Sequence, residues 1–297
     1  MFKMKGVVPP MITPFKDNGE VDYDSLKKLT DFLKERVNGV FITGSYGGGS
    51  LMSVEERKKV AENVIKNIKG EIPVIVHVGT TNNAQTIDLT KHAIAAGADA
   101  VSAVGPYYYK HNEDEICCFY DDIVKTVQGR VTVYVYNNPQ FQGYPMSLEL
   151  VKRLKDSVGV TGIKDATFDT LQMANYLRTL KNENFDVALG TESLWLSSCV
   201  LGCESFIPGL GNAFPEICGK LYTEGAAFEI EKCRETQFEV NELRDIMYLA
   251  RSTQLAIYAM LDIRGIIKAY PRAPFIPSSE EEKKVIAERL RRLSLII

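Results

Sequence analysis

Neither sign of charge dominates this sequence. Its 35 Lys and Arg stand against 38 Asp and Glu, a formal net charge of -3, so no basic excess exists to hold a phosphate backbone and nucleic acid is not an expected partner. Long apolar runs are missing too. None reaches the roughly 18 uncharged residues that a membrane span needs, and Met1-Phe-Lys-Met-Lys-Gly6 lacks a signal-peptide core, so the expectation is a cytoplasmic protein without a membrane partner. Cysteine is sparse. Cys117, Cys118, Cys199, Cys203, Cys218 and Cys233 form no CxxC pair, too few for a disulfide scaffold in a chain of this length. Cys199 and Cys203 have the spacing of a helical zinc pair, but nothing completes a ligand set, and core packing is the better reading. No metal site is expected. Histidine is rare as well: His77 sits mid-run in an apolar strand and fits a hydrogen-bonded core residue better than a catalytic base, while His92 and His111 read as helix and loop surface.

What is present is an ordinary globular composition, 45% hydrophobic and 25% charged over 297 residues, enough for one large barrel core. Short β-rich runs recur at 7–13, 39–44, 74–79, 100–105, 131–137, 158–166, 187–192 and 205–209. Helix-period segments fall between them at 24–36, 54–68, 84–96, 113–127 and 148–155. Eight such strands alternating with helices predict an α/β fold, a (β/α)8 TIM barrel. Ser53-Val-Glu-Glu56 and Ser279-Glu-Glu-Glu282 read as capping boxes. After the eighth strand the pattern turns wholly helical, over 214–250, 254–269 and 280–293. The expected organisation is a catalytic barrel over 1–224 with a C-terminal helical extension over 225–297.

Two polar residues break the apolar strands. Lys164 lies in Val158-Gly-Val-Thr-Gly-Ile-Lys164-Asp-Ala, where burial disfavours the ammonium form and prepares the amine to attack a carbonyl and form a Schiff base. Tyr136 ends Val131-Thr-Val-Tyr-Val-Tyr136 and is a candidate proton shuttle. Active sites of such barrels form where the strands end. After the second strand comes Gly44-Ser-Tyr-Gly-Gly-Gly-Ser50, whose backbone N–H groups suit an anion. It lacks a P-loop lysine and does not fit GxGxxG, so it suits a carboxylate better than a nucleotide phosphate. Pro106-Tyr-Tyr-Tyr109 and Gly190-Thr-Glu-Ser193 follow the fourth and seventh strands. Taken alone, the three tyrosines read as a core cap or interface filler.

Together Pro9-Pro-Met-Ile-Thr-Pro14, Gly44-Ser-Tyr-Gly47, Pro106-Tyr-Tyr108, Tyr136-Asn-Asn-Pro139 and Gly162-Ile-Lys-Asp-Ala166 resemble the motifs of the pyruvate-dependent class I aldolases of the dihydrodipicolinate synthase and N-acetylneuraminate lyase family. The resemblance implies that Lys164 forms the imine with a 2-oxo acid, that Tyr136 moves protons, and that the backbone of Ser45 and Tyr46 holds the carboxylate. It also implies that Tyr108 reaches a neighbouring subunit's site, with Ser45 bridging it to Tyr136, in a homotetramer built as a dimer of dimers. No cofactor is implied. The implied substrate pocket includes Ser45, Tyr46, Phe141, Glu192, Ser193 and Ile207.

Departures from that pattern bear on the second substrate. Phe141 stands where dihydrodipicolinate synthases carry an arginine for a second carboxylate, and Tyr46 and Gly48 replace the usual Thr and Glu. Sialic acid lyases have an acidic pair where this chain has Glu192 and Ser193. The expected reaction is aldol cleavage or formation between a 2-oxo acid, pyruvate foremost, and an uncharged or hydroxylated aldehyde bound near Glu192 and Ser193. The alternatives are a dihydrodipicolinate synthase, a Schiff-base dehydratase or hydratase-aldolase, and a non-catalytic 2-oxo acid binding protein.

Overall fold

The computed structural model describes residues 2–296. Eight parallel strands form one sheet: β1 (Gly6–Val7), β2 (Val40–Ile42), β3 (Val74–His77), β4 (Ala100–Val104), β5 (Thr132–Asn137), β6 (Gly162–Asp165), β7 (Asp186–Leu189) and β8 (Ser205–Phe206). The spatial order is β1-β8-β7-β6-β5-β4-β3-β2. The ring closes between β1 and β2, where Phe41 N–H donates to the Pro9 carbonyl at 3.0 Å and accepts at its own carbonyl from Met11 N–H at 2.9 Å. The first strand was expected over residues 7–13 and is regular for only two of them. Pro9 and Pro10 have no N–H to continue the ladder, so the closure rests on a bridge at Pro10 and Phe41.

Helices wrap the sheet, beginning with α1 (Tyr23–Lys34), α2 (Val54–Ile68), α3 (Asn83–Ala96), α4 (Glu113–Val127), the short α5 (Pro139–Gln142) and α6 (Leu148–Arg153). α7 (Thr170–Thr179), α8 (Trp195–Val200) and α9 (Pro215–Ala226) complete the ring, and α10 (Ile230–Met247), α11 (Thr253–Ile263) and α12 (Glu280–Arg292) follow. Both expected capping boxes form, at Ser53 with Glu56 and at Ser279 with Glu282. Among the described residues no helix is long and apolar enough to cross a membrane.

Other stretches also differ from expectation, the helix expected over 254–269 among them, since α11 ends at Ile263. Residues 158–161 are not strand, because α6 continues into a π-helical turn (Leu154–Val158) that ends on Gly159 at φ 91°, and β6 starts only at Gly162. The helical stretch expected over 214–250 is two helices, separated at Ala227-Phe228-Glu229, where Phe228 takes a φ of 57°. One helix, α9, runs through residue 224 and packs on β1, α8 and α10.

The core has two layers. The larger lies between sheet and helices. The smaller fills the barrel, where Phe41, Tyr134 and Tyr136 interleave with Ala100, Ala166 and Ala188, large beside small as a closed ring of strands requires. The C-terminal segment is fastened to the loops at the strand ends. Tyr270 exchanges backbone hydrogen bonds with Phe15, and Arg272 donates to the Gly19 and Leu51 carbonyls and pairs with Glu56 at 2.6 Å. That guanidinium, with help from the Ser53 cap, holds Glu56 down at a pKa of about 2.

Candidate active site

β5 and β6 lie side by side with Tyr136 and Lys164 as direct partners across the ladder. Both are buried at the strand ends. The Lys164 Nζ stands 3.5 Å from the centre of the Tyr136 ring and 4.8 Å from that of Phe41. Burial is the main influence on this amine and lowers its pKa below that of an ordinary lysine, while the Tyr136 hydroxyl pulls the other way without overcoming it. Lys164 is therefore set apart from a structural lysine, which at such depth would need a carboxylate.

Tyr136 is perturbed in the useful direction. Burial alone would raise its pKa, but the Lys164 ammonium and hydrogen bonds with Ser45 and Asn138 outweigh burial and bring it below the ordinary phenol value. The Ser45 Oγ lies 3.5 Å from the hydroxyl, the long limit of a hydrogen bond, and Asn138 Nδ2 donates to it at 3.2 Å. Asn138 was not singled out from the sequence, although its place two residues beyond Tyr136 was the available signal.

The glycine-rich loop after β2 meets this pair through the Ser45 side chain. The backbone N–H groups of Ser45 and Tyr46 have no acceptor among the described residues. Two glycines make the loop's path possible: Gly48 takes a φ of 63°, and a Cβ on Gly49 would lie 1.9 Å from the Thr43 carbonyl oxygen. The departure at Gly48 is thus a conformational requirement of this loop. Beyond the loop a cavity of about 320 Å³ is lined by Gly44, Ser45, Tyr107, Phe141, Gln254 and Phe275, among others. Ser45 belongs to both, touching Tyr136 on one side and the cavity on the other. Phe141, on α5, is 48% exposed and offers the cavity a neutral ring.

Ile207 is buried in the barrel interior beside Phe41 and Tyr136. Glu192 and Ser193 do not stand as expected. Glu192 is fully buried, its Oε1 paired with Arg244 at 2.9 Å and its Oε2 accepting from Gly209 N–H at 3.1 Å, which leaves no free carboxylate edge for a sugar hydroxyl. Ser193 Oγ is 2.9 Å from Thr191 Oγ1. Arg244, 52 positions from Glu192, was missed because its partner is distant in sequence. Tyr108 is not brought to the site within one chain: it is 83% exposed, at a φ of 80°, with its ring edge-on to Tyr109.

His77 is a structural residue, as read from the sequence. Its Nε2 accepts from Val104 N–H at 3.0 Å, its carbonyl accepts from Arg57 at 2.6 Å, and burial keeps it neutral. Among the described residues no cluster of His, Cys, Asp and Glu could hold a metal, and Cys199 and Cys203 are buried free thiols.

Residues 3–293 match the dihydrodipicolinate synthetase family. The chain belongs to that family. It is 30% identical over 292 residues to a 4-hydroxy-tetrahydrodipicolinate synthase of Archaeoglobus fulgidus, covering 98% of this chain and 99% of the relative. Among solved structures it resembles YagE, a prophage protein of the same family from E. coli K12 in complex with pyruvate, at 27% identity and a TM-score of 0.94 over 99% of both chains. It also resembles a catalytic lysine mutant of the Ruminococcus gnavus sialic acid aldolase, at 27% identity and a TM-score of 0.92, covering 98% of this chain and 95% of that one. The dihydrodipicolinate synthetase family is one of class I, pyruvate-dependent aldolases, and the protein is accordingly a carbon–carbon lyase built on a TIM barrel.

Proposed function

We propose that the protein joins or cleaves a 2-oxo acid, pyruvate foremost, and an uncharged aldehyde through a Schiff base on Lys164. The observation that carries this reading is the buried Lys164 amine, paired in register with Tyr136 and lowered in pKa by its surroundings. In the synthetic direction the neutral amine adds to the carbonyl carbon and water leaves, giving an imine whose nitrogen is protonated. Tyr136, having given its proton to the departing hydroxyl, takes one as phenolate from the adjacent methyl and leaves an enamine. Its terminal carbon attacks the aldehyde, Tyr136 protonates the resulting alkoxide, and water releases the product and restores the amine. The free N–H groups of Ser45 and Tyr46 hold the 2-oxo acid carboxylate throughout, and Ile207 closes the apolar side. Phe141 cannot form the bidentate, charge-assisted pair that a second carboxylate demands, which favours an uncharged acceptor over the synthase reaction. The buried Glu192 supports this pocket through Gly209 and Arg244 and is not assigned to a hydroxyl.

Incubation with pyruvate and borohydride is expected to add a reduced pyruvyl group at Lys164, and Lys164→Ala and Lys164→Arg to remove the label, because a guanidinium stays protonated and forms no imine. Label on another lysine overturns the assignment. For the acceptor, kcat/KM for pyruvate with uncharged aldehydes is expected to exceed that with aspartate semialdehyde by about tenfold or more, the scale of one lost charged contact. The reverse order returns the protein to the synthases. The assembly proposed is a cytoplasmic homotetramer, a dimer of dimers in which the exposed Tyr108 enters the neighbour's site. Mixed oligomers of inactive Tyr108→Phe and Lys164→Ala subunits should then regain activity, and verified mixtures without it would remove that role.

A further inference from the structure

The C-terminal helical part reaches the loop that faces Lys164 and Tyr136 through two consecutive side chains of one helical turn. Ser252 caps α11, accepting from Leu255 N–H at 3.2 Å, and so fixes the geometry of its first turn. From that turn Gln254 Nε2 donates to the Ser45 carbonyl at 2.8 Å. Tyr46 Oη, from the next residue of the loop, donates to Thr253 Oγ1 at 2.9 Å. The fit is close: a Cβ on Gly209 would come within 2.5 Å of the Tyr46 hydroxyl, so the large side chain at this position has its own prepared space and its own partner.

The carbonyl of Ser45 and the N–H of Tyr46 belong to one planar peptide and point in opposite directions. Whatever grips the carbonyl aims the N–H. Two donors grip it, Gly48 N–H at 3.1 Å from within the loop and Gln254 from outside. Donation to a carbonyl also polarises its peptide and strengthens the N–H as a donor on the far side. That N–H has no acceptor among the described residues. We infer that Gln254, assisted by Thr253 through Tyr46, is a positioning residue that orients and strengthens the Tyr46 N–H for the carboxylate of the 2-oxo acid. The inference rests on the reading of Lys164 as the imine-forming residue.

Gln254 therefore governs recognition of the carboxylate and leaves the reactivity of the amine alone, a division that a purely structural residue would not show. The test is borohydride trapping at Lys164 with two ketones, pyruvate and hydroxyacetone, which carries a hydroxymethyl group in place of the carboxylate. In Gln254→Met, which keeps the length and loses the donor, the pyruvate concentration for half-maximal trapping should rise about two- to twelvefold, the worth of one such hydrogen bond. The value for hydroxyacetone should stay unchanged. Gln254→Glu, of the same shape but with a carboxylate against the Ser45 carbonyl, should raise the pyruvate value further, and it serves if the Met variant fails to fold. An unchanged pyruvate value in a folded variant overturns the inference, as does an equal rise for both ketones, which would mark a general distortion of the site. Absence of any label on the unaltered protein would instead remove the Schiff-base reading and this inference with it.

Discussion

β5 carries two tyrosines on its inward face, Tyr134 and Tyr136, two residues apart and both buried, and their surroundings drive them in opposite directions. Tyr134 donates to Asp186 Oδ2 at 2.5 Å, and burial together with that carboxylate raises its pKa well above the ordinary value. Tyr136 is buried as deeply, yet the Lys164 ammonium and its two hydrogen-bond partners bring its pKa down. Depth is common to both, so the sign of the neighbouring charge decides which way each phenol is driven. The two positions also divide the barrel by task. Tyr134 and Asp186 bind the chain's beginning, each meeting Met4 N–H, at 3.0 and 2.9 Å, whereas Tyr136 stands at the strand end, facing the glycine-rich loop.

The sharpest way to break this contrast is to remove each hydroxyl in turn. Tyr136→Phe should still be trapped by pyruvate and borohydride but lose on the order of 10²-fold or more in turnover, the scale of a positioned acid–base group. Normal turnover in this variant would make Tyr136 a packing residue. Tyr134→Phe should leave the turnover of the folded enzyme intact and lower unfolding free energy by about 1–3 kcal/mol, the cost of leaving a buried carboxylate short of a partner, as read by denaturant titration. If its activity fell as far as that of Tyr136→Phe, the division of tasks between the two positions would be lost.

The smallest effect is on the pH dependence of stability. Folded Lys164 has a lowered pKa, so between that value and the unfolded one, near 10.5, the unfolded chain binds more protons. Stability then rises with pH across that window. Lys164→Met should therefore be more stable than the unaltered protein at neutral pH, with the gain shrinking as pH climbs toward 10.5. Melting curves at a series of pH values check this, and a variant less stable at neutral pH would mean that the amine is stabilised where it lies.

The barrel was legible because its strands, buried on both faces, read as near-continuous apolar runs. The errors came where backbone chemistry overrides hydrophobicity: Pro9 and Pro10 cut the first ladder short, and Gly159 ended a π-turn inside what looked like strand. Lys164 and Tyr136 showed in the sequence as polar groups against an apolar background. Gln254 and Arg244 did not, since a polar residue on a helix looks like solvent-facing surface until its partner, 209 or 52 positions away, is known. The same blindness made Glu192 look available when its charge was already matched.

The direct pairing of Tyr136 with Lys164 separates what can drift from what cannot. Their spacing is set by one rung of a parallel ladder, about 4.8 Å wide in any sheet, and owes nothing to the lengths of the segments that join the strands. The groups proposed to meet the rest of the substrate sit on those joining segments: Ser45 and Tyr46 after β2, Phe141 after β5 and Ile207 after β8. Insertions and replacements there can retarget the enzyme to new acceptors while the amine and the phenol remain in step. A change of one residue in the pairing of β5 with β6 would turn one of them out of the barrel and end the chemistry at once.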